Sequence, residues 1–303
     1  MLIVDEPPQR TFLERPPSDA LARLDPVVGN PVILGRMLSK LAFHDDATRH
    51  GIPVPSARIL PQAGQLGPDD WQGMPFMLKL DETMSGSGVH IIRSAADLNR
   101  VCGLITGPVL QQDFVPGRVG ATAVVFHHGR PTCWFSYFLE RCWPTAVASA
   151  SAITITYRAD IEEILIKLGE MTQFHGICGI DWVSDPATGK TLVLELNPRP
   201  TPGLTAGGLA GVSFPRAIAG LLAGGSGAVQ RPLEQEQPLF RLFPQNLYWA
   251  IDEKRPLEFL RTWANAPWND PGLVLSQSRR VFTHFLLKGL RESLRNLRKR
   301  VSR

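Results

Sequence analysis

The chain has 303 residues, of which 44% are hydrophobic and 20% charged, enough to build a sizeable core and ordinarily divided into two domains or subdomains. Its net charge of +4 is uneven: residues 279–303 hold nine Lys or Arg against the single acid Glu292, so this tail carries +8 and the remainder −4, which is not the footprint of a nucleic-acid-binding domain. The longest uncharged apolar candidate, 212–224, is broken by Arg216 and falls short of a membrane span. The N-terminus turns acidic at Asp5 and Glu6 before a signal-peptide core can form, which points to a cytoplasmic protein.

The first thirty-odd residues, rich in Pro, Asp and Arg, read as an extended lead-in. Over 31–50 the spacing of Leu34, Leu38, Leu41 and Ala42 predicts one helix, stopped by Gly51-Ile52-Pro53-Val54-Pro55 because proline cannot continue it. A strand is expected over 75–80, a loop over 81–88 and a second strand over 89–93. Ser94 with Asp97 three residues on predicts an N-cap and a helix running to about Ile105. A strand over 109–115 follows. A hairpin is then expected, pairing 121–126 with 132–139 around His127-His128-Gly129-Arg130. Glu140-Arg141 and Trp143-Pro144 read as an exposed turn in preference to the border of a substrate pocket. An amphipathic helix over 160–174 precedes strands over 179–183 and 191–196, joined by the turn-forming 184–190.

The Gly- and Ala-rich 224–229 marks a boundary before the C-terminal segment. From 276 onward Phe282, Leu286, Leu290, Leu294, Leu297 and Val301 fall on one helical stripe, with Lys288, Arg291, Arg295, Arg298 and Lys299 mostly elsewhere. Such a helix either rests on an anionic membrane surface or packs its stripe against the body; the second reading is preferred. Cys102, Cys133, Cys142 and Cys178 are scattered without a C-x-x-C pair, which predicts reduced, partly buried thiols.

Three features carry chemistry. If the 184–190 turn centres near Thr188, Asp181 stands opposite Glu195 on one sheet face, with β-carbons roughly 5 Å apart. Asn197 points the same way, while Trp182, Leu194 and Leu196 face the core. The paired carboxylates repel unless a cation joins them, and oxygen-only donors suit magnesium; solvated acids on an exposed sheet explain the hairpin equally well. Lys79 lies in the apolar Met74-Pro75-Phe76-Met77-Leu78-Lys79-Leu80, where its charge costs free energy unless it snorkels or meets an anion. The neighbouring Ser85-Gly86-Ser87-Gly88 offers N–H and hydroxyl groups to phosphates, although an ordinary hairpin loop has the same composition. Arg199, between Pro198 and Pro200, leaves the strand near the acids, able to meet a phosphoryl or carboxylate group or simply a surface ion pair.

In this order the pieces resemble the ATP-grasp superfamily, in particular its carboxylate–amine ligases and carbamoyl-phosphate-synthetase-like members, from about Ser39 to Gly224. The resemblance implies an α+β fold in which two subdomains with antiparallel sheets clasp the nucleotide, here with a C-terminal helical segment and an N-terminal Rossmann-like domain largely absent. It divides the chain into a lead-in (1–35), an N-terminal subdomain with a Gly-rich lid (36–112), a C-terminal subdomain with the metal site (113–225) and an extension ending in the basic helix (226–303). Lys40 and Lys79 match the nucleotide-binding lysines, and Ser85, Gly86, Ser87 and Gly88 the lid. Gln112, Asp113, Phe114 and Val115 match the hinge that brackets adenine. Asp181, Glu195 and Asn197 match the metal ligands, and Arg199, with Lys79, the catalytic cations. Implied are ATP with Mg2+ (or Mn2+ in its place), small-molecule carboxylate and amine substrates, and carbon–nitrogen ligation through an acyl phosphate. Two departures stand out: Val119 sits where many members place a ribose-holding acid, and only 39 residues precede Lys40. Either the chain is truncated, or a homo-oligomer or a partner chain is expected to supply the missing surface. The competing reading is a non-catalytic or incomplete ATP-binding module.

Overall fold

Two antiparallel sheets organise the chain. The computed structural model describes residues 31–62, 66–67, 70–81, 83, 88–237, 239–242 and 245–255, together with Leu257, Leu287 and Arg291. β1 (Ala57–Leu60), β2 (Phe76–Leu80), β3 (Val89–Ile92) and β4 (Val109–Asp113) form a four-stranded sheet in the order β1-β4-β2-β3. β5 (Arg118–His127), β6 (Arg130–Cys142), β7 (Ala150–Thr156), β8 (Gly176–Ser184), β9 (Thr191–Asn197) and β10 (Phe240–Arg241) form a six-stranded sheet in the order β10-β7-β6-β5-β8-β9. The helices are α1 (Pro31–Leu38), α2 (Lys40–Arg49), α3 (Ala95–Cys102), α4 (Ile161–Thr172), α5 (Phe214–Leu222) and α6 (Gln245–Asp252), with a 3-10 helix at Pro202–Gly208. This is an α+β architecture.

Alternation along β2 decides what the first sheet presents to each side. Phe76 and Leu78 join Ile92, Leu98, Val101 and Val109 in a core beneath α3, whereas Met77 and Lys79 turn the opposite way into a cleft. The second sheet is covered on both faces. Phe126, Phe138, Trp182, Val193 and Leu196 pack against α1, α2 and α4, while Ala123, Val125, Phe135, Ile153 and Ile155 pack against the 3-10 helix and α5. Ala121 and Tyr137 belong to that second face and also line the cleft, so the functional surface begins where the helical cover stops.

Several expectations need correction. The single helix expected over 31–50 is two, broken at Ser39: the Ser39 hydroxyl accepts the Ala42 N–H (3.1 Å), and this local bond caps α2 instead of continuing α1. Glu140 to Cys142 is the end of a strand, not a turn, and although Glu140 and Pro144 are exposed, Trp143 is buried (8% exposed) and donates its indole N–H to Asp252 Oδ2 (2.7 Å). The residues beyond 226 are not a mere extension, because β10 adds an edge strand to the second sheet, pairing Phe240 with Ile153. α1 begins at Pro31, inside the stretch read as lead-in; its first thirty residues lie outside the described ones. The expected helix over 276–303 also lies outside them, apart from Leu287 and Arg291, which are helical. All four cysteines are free thiols, Cys133 and Cys178 fully buried. Among the described residues no helix is long and apolar enough to cross a membrane.

The β5–β6 hairpin is clamped by a glycine pair. Gly129 has φ +75° and donates its N–H to the Phe174 carbonyl (2.8 Å), and the backbone of Gly129 lies directly against that of Gly169 in α4. A Cβ at Gly169 would collide with the Gly129 carbonyl oxygen. Gly169→Ala is therefore expected to lose roughly 1–3 kcal/mol by overpacking, even though alanine is the better helix former. At about 2–4 °C per kcal/mol for a chain of this size, a melting temperature lowered by about 2–12 °C is the expected readout.

Candidate functional site

The cleft between the two sheets encloses about 230 Å³. The second hairpin supplies its polar centre. β8 and β9 pair from Ser184–Thr191 through Trp182–Val193, after which the register slips by one residue and Asp181 pairs with Glu195. The extra residue is Leu194, and this β-bulge corrects one expectation: Val193, not Leu194, shares the core face with Trp182, and Leu194 lines the cleft instead. Asn197 donates its side-chain N–H to Asp181 Oδ2 (3.1 Å). The pair with its amide is thus brought together as expected.

Electrostatics mark the pair as incomplete. Burial, and next the Glu195 carboxylate, push the Asp181 carboxyl well above the usual carboxylate range, against the opposing pull of Arg199 and Asn197. Lys79 reaches in from the other sheet and is buried (5% exposed). Burial holds its ammonium down to about 8, Lys40 adds to the depression, and Glu195 and Asp181 pull upward. Two carboxylates and an amide oxygen around a space shared with lysines and an arginine are a donor set suited to a hard divalent cation that keeps open positions for phosphate oxygens.

Lys40, also buried, donates from Nζ to the Thr83 carbonyl (2.5 Å). Its backbone N–H donates to Asp81 Oδ1 (2.7 Å), and the Ser39 hydroxyl donates to Asp81 Oδ2 (2.8 Å), which seats a carboxylate on the first turn of α2. Arg199 enters the cleft because the chain after β9 folds back over the sheet face. Tyr137 there donates its hydroxyl to Thr201 Oγ1 (3.1 Å), and Gly203 lies against its ring, where a Cβ would collide.

Lys40, Lys79, Asp181, Glu195, Asn197 and Arg199 therefore line one cavity. Gln112, Asp113, Phe114 and Val115 do not line it: Gln112 is buried in β4 between Ala57 and Met77, and Asp113 is exposed at the strand end. Ser85, Gly86 and Ser87 lie outside the described residues, and Gly88 closes the loop by accepting the Leu80 N–H (2.8 Å). Val119 lies on the cavity wall, 41% exposed.

The sequence reading places Asp81 and Thr83 in the loop without their bonds to Ser39 and Lys40, and it misses Tyr137, Leu139 and the 146–150 segment that rims the cavity. For Asp81 no local signal exists, since its partner lies 41 residues away.

No family model and no curated protein matches the sequence significantly. Solved structures do match. Biotin carboxylase of Campylobacter jejuni, solved with a β,γ-ATP compound, is 14% identical over 75% of this chain and 53% of its own, with a TM-score of 0.57. Phosphoribosylamine–glycine ligase of Thermotoga maritima is 16% identical over 67% and 58%, with a TM-score of 0.51. N5-carboxyaminoimidazole ribonucleotide synthetase of the same organism is 19% identical over 68% and 54%, also with a TM-score of 0.51. The chain thus spans little more than half the length of these proteins, and the likeness is one of fold.

Proposed function

From the ATP-grasp fold that the chain shares with those structures, we propose that it is an ATP-dependent ligase that activates a carboxylate as an acyl phosphate for attack by an amine. The single observation that carries this is the convergence of the Asp181–Glu195 pair, Lys79 and Arg199 on one cavity between the sheets.

Asp181, Glu195 and Asn197 would hold magnesium, whose chemistry is to offset charge on the nucleotide phosphates. Lys40 and Lys79 bind the phosphates. Arg199 orients the substrate carboxylate for in-line attack on the γ-phosphorus and then faces the acyl phosphate. The amine displaces phosphate, so that acid, amine and ATP give amide, ADP and phosphate. The 81–88 loop keeps water from the acyl phosphate. From Ala121 beside Asp181 and onward across β5, β6 and β7, the floor becomes apolar: Val119, Tyr137, Leu139 and Ala150. This supports an acid with an apolar body.

ADP release with magnesium-ATP and a panel of acids, with hydroxylamine present to trap acyl phosphate, tests the reading. A hydroxamate formed with an apolar acid is expected, and polar acids should be at least tenfold poorer. Nucleotide binding without ADP from any acid would favour the non-catalytic module instead.

A further inference from the structure

At the far end of the second sheet stands a group of side chains that the cleft chemistry does not use. His127 ends β5, His128 and Gly129 form the two-residue turn into β6, and His175 precedes β8. His128 and Gly129 both have positive φ, +46° and +75°, as a type I′ hairpin turn requires. A non-glycine residue rarely adopts that backbone, so the turn holds His128 in a conformation most side chains avoid. The clamp of Gly129 on Gly169 and on the Phe174 carbonyl brings the turn against the residue before His175. The His128 N–H then donates to His175 Nδ1 at 3.3 Å.

The outcome is three imidazoles packed on one another, with ring centroids 4.3, 4.8 and 5.2 Å apart. One ring nitrogen from each lies within 4.8 Å of the others. His175 is buried, His127 half-buried and His128 exposed, so the group has a fixed base and an open side.

We propose that His127, His128 and His175 form a second metal site, for a borderline divalent cation of the zinc, nickel or copper type. Imidazole nitrogens suit these ions, whereas magnesium selects the oxygen donors of the cleft. Three protein ligands and a solvent-facing fourth position match an open zinc site. Zn–N bonds of about 2.0–2.1 Å place tetrahedral ligands roughly 3.3 Å apart, so ring nitrogens that now stand up to 4.8 Å apart close in by up to about 1.5 Å. The exposed His128 ring has room to make that movement, and the long hydrogen bond to His175 Nδ1 is readily exchanged for coordination. The site is separate from the magnesium ligands: Ala121, which pairs with Asp181, lies six residues before His127 on β5, about 20 Å away at roughly 3.4 Å per residue.

Titration calorimetry of the full chain with zinc chloride, in excess magnesium and without nucleotide, tests the proposal. One saturable equivalent is expected. His128→Ala should weaken it at least tenfold, His127→Ala/His128→Ala should abolish it, and Glu195→Ala should leave it intact. Cobalt in place of zinc should give a visible absorption band that the double variant lacks. Absence of a saturable equivalent overturns the proposal, and so does binding that survives the double substitution. Both positions lie on a surface turn, and a melting curve without metal checks that the variants fold; should the double variant unfold, His128→Ala alone decides.

Discussion

Glu195→Ala is expected to lower ATP turnover by roughly a thousandfold while moving the melting temperature by no more than about 4 °C. The first effect follows from removing half of the carboxylate pair that would hold the metal, the group asked to offset charge on the phosphates. The second follows from opposing changes that share one cause. Asp181 is pushed up by burial and by Glu195, so the substitution relieves a repulsion that the fold now bears. Lys79, conversely, loses the largest of the attractions that offset its burial. The two changes act in opposite directions, and a residual near 1 kcal/mol corresponds to about 2–4 °C in a protein of this size. Coupled-enzyme ADP assay and calorimetry on the same preparation give both numbers. Turnover reduced less than tenfold would remove Glu195 from the site.

Lys79 should show a pH signature of opposite sign for binding and for folding. Burial lowers its ammonium from an ordinary 10.5 to about 8, so above pH 8 the free protein progressively loses a charge that phosphate requires. ADP affinity is expected to fall between pH 8 and 9.5, with Lys79→Arg flattening that slope because guanidinium stays charged. Lys79→Met should weaken ADP binding roughly tenfold to a hundredfold already at pH 7. Folding stability runs the other way. From pH 8 to 10.5 the unfolded chain binds more protons at this lysine than the folded one, so this group's contribution makes stability rise with pH across that window. Fluorescence-monitored ADP titration and denaturant melts at matched pH values separate the two trends.

Much of this was legible in residue order. Lys79 in an apolar strand, the turn chemistry of 184–190 and the Pro-flanked Arg199 are local signals, and the lysine, the pair and the arginine do meet in one cavity. The spacing also gave the Asp181–Glu195 pairing, yet for a reason that spacing cannot contain. From the turn, strict alternation would set Val193 and Glu195 on one face, and only the bulge at Leu194 separates them. A bulge is decided by packing on both faces, with Trp182 demanding Val193 on one side. The break at Ser39 is similar. A helical stripe runs through it, and although the Ser39 cap on Ala42 is local, the Asp81 carboxylate that holds Ser39 comes from a strand end far along the chain. β7 and α6 gave no expectation because their strength comes from β6 and β10 and from Trp143.

The bond from Lys40 to the Thr83 carbonyl has a consequence for how the cleft would fill. That ammonium already holds an oxygen, and the oxygen belongs to the loop that follows β2. On the proposed function, a polyphosphate arriving there would take over the place that the Thr83 carbonyl now holds on Lys40. Nucleotide affinity would then measure the difference between two contacts of this lysine, not the strength of one.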